Sequence, residues 1–238
     1  MHECRIYKMF IMLKGTMILT IAKNIQDFTE SIPEGVKLLA VSKTRSIDEI
    51  KEAFEAGQRE FGENKVQELV DKFESFDTTI RWHLIGHLQT NKVKYIVGKV
   101  FLIHSLDSIK LLEEIEKRYK DANLIANVLI QINIGREQSK TGIFKENLEE
   151  LLSRIEKCSN VKVKGLMAVI PKGSDMENKF YFKEMKKIWD SLRERQFENI
   201  TMEYLSMGMT NDYKLAILEG SNLIRIGEGI FGKRNYNI

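Results

Sequence analysis

The chain is predicted to fold as a single (β/α)8 barrel with one extra helix at its N-terminal side. Eight apolar, strand-like segments alternate with segments of helical periodicity, and strands separated by helical crossovers favour a parallel sheet with its helices outside. The 238 residues lie near the ~250 typical of a closed eight-stranded barrel. Polar residues and glycines also collect where the strands end, on the edge where such barrels carry their functional loops, although strands need turns in any fold. An open doubly wound sheet is the alternative that alternation alone permits. No linker, low-complexity tract or repeat divides the chain. Residues 17–238 therefore read as one domain and residues 1–16 as an extension.

Taken in order, Ile18, Ile21, Ala22, Ile25 and Phe28 fall at helical spacing and predict the leading helix. An apolar strand at 37–42 follows, then a helix with Ile47, Ile50 and Phe54 on one face. A short strand at Glu60–Gly62 precedes a helix carrying Val66, Leu69, Val70 and Phe73. RWHLIG reads as strand and Val93, Ile96 and Val97 as helix; VFLIHS reads as strand and Ile109, Leu112 and Ile115 as helix. LIANVLIQINI predicts a long strand, and Leu148, Leu151, Leu152 and Ile155 the helix behind it. VKVKGLMAVI is the sixth strand, and Phe182, Met185, Trp189 and Leu192 mark the next helix. TMEYLSM, a short helix at Tyr213–Leu218 and the strand NLIRIG complete the series.

Bulk properties restrict function. Hydrophobic content of 43% and charged content of 30% are ordinary for a soluble globular chain. Of the formal net charge of +3, residues 1–16 supply Arg5, Lys8 and Lys14 against Glu3, so the remainder is nearly neutral and advertises neither nucleic acid nor membrane. Two cysteines, Cys4 and Cys158, make no disulfide framework, and no Cys/His spacing matches a zinc site. No apolar run spans a bilayer, and Lys14 and Gly15 interrupt the apolar part of the N-terminal stretch, so it does not read as a signal peptide. A reducing, cytoplasmic setting is expected.

The sharpest local signal is Lys43 in KLLAVSKTRS. A lysine at a barrel mouth, backed by Leu39 and Val41, would keep a usable neutral amine, and neutral amines condense with aldehydes to Schiff bases. Pairing with Glu63, or reaching out to solvent, is the structural alternative. GEGIFG at 227–232 fits G-x-G-x-x-G but cannot be a dinucleotide fingerprint, because it does not open a βαβ unit. Small residues after a strand can still let backbone N–H groups hold a phosphate, with Ser206 adding a hydroxyl; plain turn chemistry is the alternative. Arg225 lies between Ile224 and Ile226 and must face opposite to both. Inside a barrel it needs an acceptor or anion, either a ligand or an internal partner such as Glu203 or Glu228.

His83 and His87 sit on strand and turn, so each reads as a structural histidine, and EIEKRYKD and FKEMKKIWDSLRERQ read as solvated helix faces. No nucleophile elbow, P-loop or carboxylate pair suits a hydrolase or kinase. An imine-forming lysine, a phosphate cradle and a buried arginine would together suit pyridoxal 5′-phosphate, whose pyridine nitrogen gives the arginine an acceptor.

LLAVSKT, FGENKVQE, WHLIGHLQTNK, VLIQINIGREQSKTGI, KGLMAV, LSMGMTNDYKLAI and RIGEGIFGKRNY, running in order from Met17 to Tyr236, resemble the pyridoxal phosphate homeostasis proteins, the YggS/PROSC-like family. The resemblance implies a barrel similar to the N-terminal domain of alanine racemase. It implies pyridoxal phosphate as a Schiff base on Lys43, its phosphate held by Ser206 and the backbone of Ile226 and Gly227, its pyridine nitrogen faced by Arg225, and Asn64 lining the pocket. Three positions depart from the family pattern: Thr210, which keeps a hydroxyl where serine is common; Asn222; and Glu228, an acid beside the cradle that is expected to point away.

The implied role is to bind, buffer and deliver the cofactor in vitamin B6 homeostasis, with pyridoxal-phosphate-dependent apo-enzymes as partners and no established substrate reaction. The chain ends six residues after Gly232, so the second domain that supplies a racemase's other acid/base is not expected. An arginine at the pyridine nitrogen also disfavours a protonated ring. The alternatives are a racemase with Lys43 as sole base and a Schiff-base aldolase acting on a sugar phosphate. A monomer, without a metal, is expected.

Overall fold

The alternation closes into a barrel. The computed structural model describes residues 20–76, 79–138 and 140–233; the extension expected over 1–16 lies outside them. Strands β1 (Lys37–Val41), β2 (Glu60–Glu63), β3 (Arg81–Leu84), β4 (Leu102–Leu106), β5 (Ala126–Gln131), β6 (Val161–Met167), β7 (Ile200–Met209) and β8 (Leu223–Ile226) are neighbours in sequence order. All pair in parallel, and β8 closes on β1 with Arg225 opposite Leu39 and Ile226 opposite Ala40. Closure rules out the open sheet.

Helix α1 (Ile21–Ser31) precedes the barrel, and α2 (Ile47–Glu55), α3 (Val66–Phe73), α4 (Ile109–Asp121), α5 (Leu148–Ile155), α6 (Asp175–Arg193) and α7 (Tyr213–Leu218) alternate with the strands. Helices α2 and α6 open with capping boxes, Ser46 with Glu49 and Ser174 with Glu177, which satisfy N–H groups that a first helical turn leaves without partners. The faces read from spacing are the buried ones, including Leu148, Leu151, Leu152 and Ile155 on α5.

Two segments differ from expectation. The helix expected around Val93, Ile96 and Val97 is a 3-10 helix, Thr90–Tyr95. Its start lacks a side-chain cap, and Gly98 turns the chain just behind it at φ 75°. Val93 and Ile96 are nonetheless fully buried, because i,i+3 spacing serves a 3-10 helix as well as an α-helix. A four-residue helix, α8 (Glu228–Phe231), also forms where the sequence reads only as a glycine-rich turn.

The main core lies between barrel and helices, and a smaller apolar cluster of Leu39, Leu102, Leu129, Met167 and Leu223 fills part of the interior. The pleat sends Ile224 and Ile226 into the outer core and Arg225 the opposite way. Strand β6 approaches β7 so closely at a register shift that a Cβ on Gly165 (φ 143°) would lie 1.9 Å from the Tyr204 carbonyl oxygen.

Candidate cofactor site at the barrel mouth

Lys43 follows β1 by two residues and is half-buried. Its neighbours in sequence are held tightly. The Ser42 N–H donates to the Gly62 carbonyl at 3.0 Å, and the Ser42 hydroxyl donates to Glu63 Oε1 at 2.5 Å. Lys72, from α3, reaches the Ser42 carbonyl at 2.8 Å, Glu63 at 2.9 Å and Glu68 at 2.7 Å. Thr44 adopts φ 64°, unusual for a β-branched residue, and its N–H donates to Glu68. The Glu63 carboxylate raised as an alternative partner for Lys43 thus already engages Ser42 and Lys72. Burial pushes the Glu63 carboxyl above its ordinary range despite Lys72, and its Oε2 finds no partner.

Arg225 is 5% exposed. Nη1 donates to the Ser206 carbonyl at 2.8 Å and to Ser206 Oγ at 2.6 Å, and Nη2 donates to the Ala168 carbonyl at 2.8 Å. None of these acceptors is a carboxylate. Glu203 pairs instead with Lys164, and Glu228 is exposed. Burial lowers the guanidinium to about 10, Asp212 opposing from a distance, so it stays charged at neutral pH.

Ser206 is fully buried, its hydroxyl shared between Arg225 and His104 Nδ1, 3.3 Å away. In register it lies opposite Leu223, whereas Met209 lies opposite Arg225. Ser206 therefore sits below the mouth, and the next residue after Met209, Thr210, sits nearer to Gly227. The Gly229 N–H approaches Thr210 Oγ1 at 3.4 Å. Gly227 packs against Val41 of β1, where a Cβ on Gly227 would lie 3.5 Å away, and stands at the N-cap of α8, whose first N–H groups have no intrahelical acceptor.

Asn64 lines a cleft of about 290 Å3 with Lys65, Val66, Gln67, His87, Gln89 and Lys92. Gly86 lets β3's exit pass against it, since a Cβ there would lie 2.3 Å from the Asn64 carbonyl oxygen. Lys43, Ser206 and Arg225 are not in that lining, so the structure joins Ser206 to Arg225 and puts Asn64 on the β2–β3 side. His87 pairs with Asp107 at 3.0 Å. Among the described residues no cluster of three or more His, Cys, Asp or Glu could hold a metal, and no helix is long and apolar enough to cross a membrane.

A model of the alanine racemase N-terminal domain family matches residues 19–235. The chain is also 45% identical over 202 residues to the pyridoxal phosphate homeostasis protein of Aquifex aeolicus, covering 84% of this chain and 88% of that one. It belongs to the pyridoxal phosphate homeostasis protein family. The Escherichia coli K12 member is 39% identical over 210 residues, covering 86% of this chain and 88% of its own. Among solved structures, PipY of Synechococcus elongatus with pyridoxal phosphate bound superposes with a TM-score of 0.82 at 32% identity, covering 89% of this chain and all of that one. Alanine racemase of Enterococcus faecalis (E. faecalis), at 15% identity and a TM-score of 0.72, shares the fold over 90% of this chain and 58% of its own. The family and fold expected from the sequence motifs are borne out.

The residues present suit this family's cofactor. A guanidinium withdrawn from water among neutral acceptors only is costly, and a ligand bringing an anion or a ring acceptor offsets that cost. Sequence reasoning noted Thr210 only as a departure that keeps a hydroxyl, and it missed Lys72 and Glu68, which clamp Glu63, and His104. Only His104 left a readable trace, because alternation in VFLIHSL puts it opposite Ile103.

Proposed function

We propose that this protein binds pyridoxal 5′-phosphate as a Schiff base on Lys43 and serves intracellular vitamin B6 homeostasis by buffering and delivering it. The observation that carries the reading is the buried Arg225, which has no carboxylate partner among the described residues, on the strand paired directly with the one that ends two residues before Lys43. Arg225 would face the pyridine nitrogen as a donor, which leaves that nitrogen unprotonated and weakens the ring as an electron sink. The backbone of Ile226 and Gly227 would hold the phosphate, with Thr210 supplying the nearest hydroxyl. Ser206 would act from beneath, through Arg225, and Asn64 would border the site. When bound, the cofactor supplies an aldehyde and an aromatic ring; this chain supplies the amine, the donors and the walls.

Delivery to apo-enzymes, a cytoplasmic setting and a monomeric state belong to the same proposal. The names of the relatives and the bound PipY structure support its cofactor and homeostasis parts. The test is to reduce the protein with borohydride after adding pyridoxal phosphate and to map the modified peptide by mass spectrometry. A pyridoxyl group on the peptide containing Lys43 is expected. A protein that takes up no cofactor would sink the reading, and trapping of a sugar phosphate on Lys43 instead would favour the aldolase alternative.

A further inference from the structure

Beside its apolar cluster the barrel interior carries polar side chains that touch end to end. Glu60, at the start of β2, has Oε2 2.5 Å from His83 Nε2. His83 Nδ1 lies 2.9 Å from His104 Nε2, His104 Nδ1 lies 3.3 Å from Ser206 Oγ, and Ser206 Oγ lies 2.6 Å from Arg225 Nη1. The string runs from the lower rim of β2 through β3 and β4 and across to β7 and β8. His83, His104, Ser206 and Arg225 are all buried, where a mispaired polar group is expensive.

The two ends fix the direction of every bond between them. A guanidinium can only donate, an ionised carboxylate can only accept, and a neutral imidazole donates from one nitrogen while accepting at the other. One assignment satisfies all five groups. Arg225 donates to Ser206, Ser206 to His104 Nδ1, His104 Nε2–H to His83 Nδ1, and His83 Nε2–H to Glu60. The reverse order would set the unprotonated Nε2 of His83 against the Glu60 carboxylate, acceptor against acceptor.

We infer that Glu60, His83, His104 and Ser206 form a one-directional hydrogen-bond relay that pins the Arg225 guanidinium as a donor at the barrel mouth, so that His83 and His104 are positioning residues of the cofactor site. The cofactor half of this statement rests on the proposed function; the direction of the relay does not.

Burial, more than the surrounding charges, keeps the histidines neutral. Burial lowers His83 foremost, Glu60 from β2 opposes, and Lys37 from β1 and Arg81 from β3 lower it further. Burial lowers His104 well below the ordinary value, helped by His83 and by Arg225 from β8. At the far end burial would raise Glu60, but its bonds to His83 and Arg81 outweigh that and keep it ionised. One consequence concerns Ser206. Its hydrogen is committed to His104, so it offers the mouth no donor for a phosphate, and that contact falls to the backbone at Gly227 and to Thr210.

The relay is tested on the full-length protein by long-range 1H–15N NMR with labelled histidine, first without cofactor, between pH 6 and 9. His83 and His104 are expected as single Nε2–H tautomers that do not titrate; an Nδ1–H tautomer or a protonation step at either would overturn the relay. Pyridoxal phosphate is then titrated into the wild type, His104→Gln and His104→Leu. The leucine variant is expected to bind about tenfold more weakly, with glutamine, which can both donate and accept, within threefold of wild type. Should His104→Leu not fold, Ser206→Ala makes the same cut with less lost volume. Wild-type affinity in the folded variant that breaks the relay would overturn the positioning role. Failure of the wild type to take up pyridoxal phosphate would overturn the cofactor reading and with it the positioning role, whereas the tautomers decide the relay's direction either way.

Discussion

The Lys72 ammonium donates to the backbone carbonyl of Ser42 at 2.8 Å, one residue before Lys43. The same ammonium lies 2.9 Å from Glu63, whose side chain is fully buried, and 2.7 Å from Glu68, which receives the Thr44 N–H. One buried cation therefore holds the backbone on both sides of Lys43, directly before it and through Glu68 after it.

Removing that cation should loosen the Lys43 segment and strand a buried carboxylate. Lys72→Met is expected to cost about 3–5 kcal/mol in urea unfolding and to accelerate amide exchange at Thr44. The cost should grow with pH. Burial raises the Glu63 carboxyl, and an acid with a raised folded pKa loses stability as pH rises from its unfolded pKa through its folded one. A loss below about 1 kcal/mol at pH 8 would mean that the clamp contributes no more than a surface ion pair.

The interior histidines predict acid sensitivity. Burial keeps both His83 and His104 below the ordinary 6.5. As pH falls through that ordinary value the unfolded chain binds protons that the folded chain refuses, so stability is fully present above it and declines below. Each histidine contributes up to about 1.4 kcal/mol per pH unit in that window. The urea midpoint should fall between pH 7 and pH 5.5, and His104→Gln should flatten the slope by about one proton's worth. An unchanged slope in that variant would place the acid sensitivity elsewhere.

Gly86 is predicted to be irreplaceable for steric reasons alone. A Cβ there would lie 2.3 Å from the Asn64 carbonyl oxygen and 2.8 Å from its Cα, and backbone cannot rotate away as a side chain would. Gly86→Ala should cost about 1–3 kcal/mol and change the chemical shifts of Asn64 and Lys65. Gly57→Ala is a different case, with open space around it but φ 100°, and it should leave those shifts alone. Equal shift changes in both variants would remove the steric explanation.

How much of this was readable without coordinates depends on what each residue's role requires. Parallel strands buried on both faces are apolar runs, so LLAV, VLIQ and LIRI were legible as strands, and alternation alone turned Arg225 inward. The 3-10 helix at Thr90–Tyr95 was not legible, because Val93 and Ile96 fit either helix type equally well. Lys43 stood out because an ammonium after an apolar strand is locally odd. Lys72 did not, since a lysine on an amphipathic helix is ordinary until the helix is docked on Glu63. The link from His83 through His104 to Ser206 joins residues separated by 21 and 102 positions, and only barrel closure brings β4 opposite β7.

Arg225 separates a structural role from a binding role most cleanly. In the fold it donates to two backbone carbonyls and one hydroxyl. Losing those bonds costs roughly 1–3 kcal/mol, partly offset because Arg225→Met also removes a buried cation that no carboxylate balances. The net change in urea unfolding without cofactor is therefore expected to stay below about 2 kcal/mol. Binding has no such offset: the variant loses the donor proposed for the ring nitrogen, and the pyridoxal phosphate dissociation constant, read from the visible absorbance, should rise at least tenfold. A collapse in stability with unchanged affinity in the folded fraction would make Arg225 a structural residue. A small stability change with a large loss of affinity would mean that this buried charge is kept for the ligand.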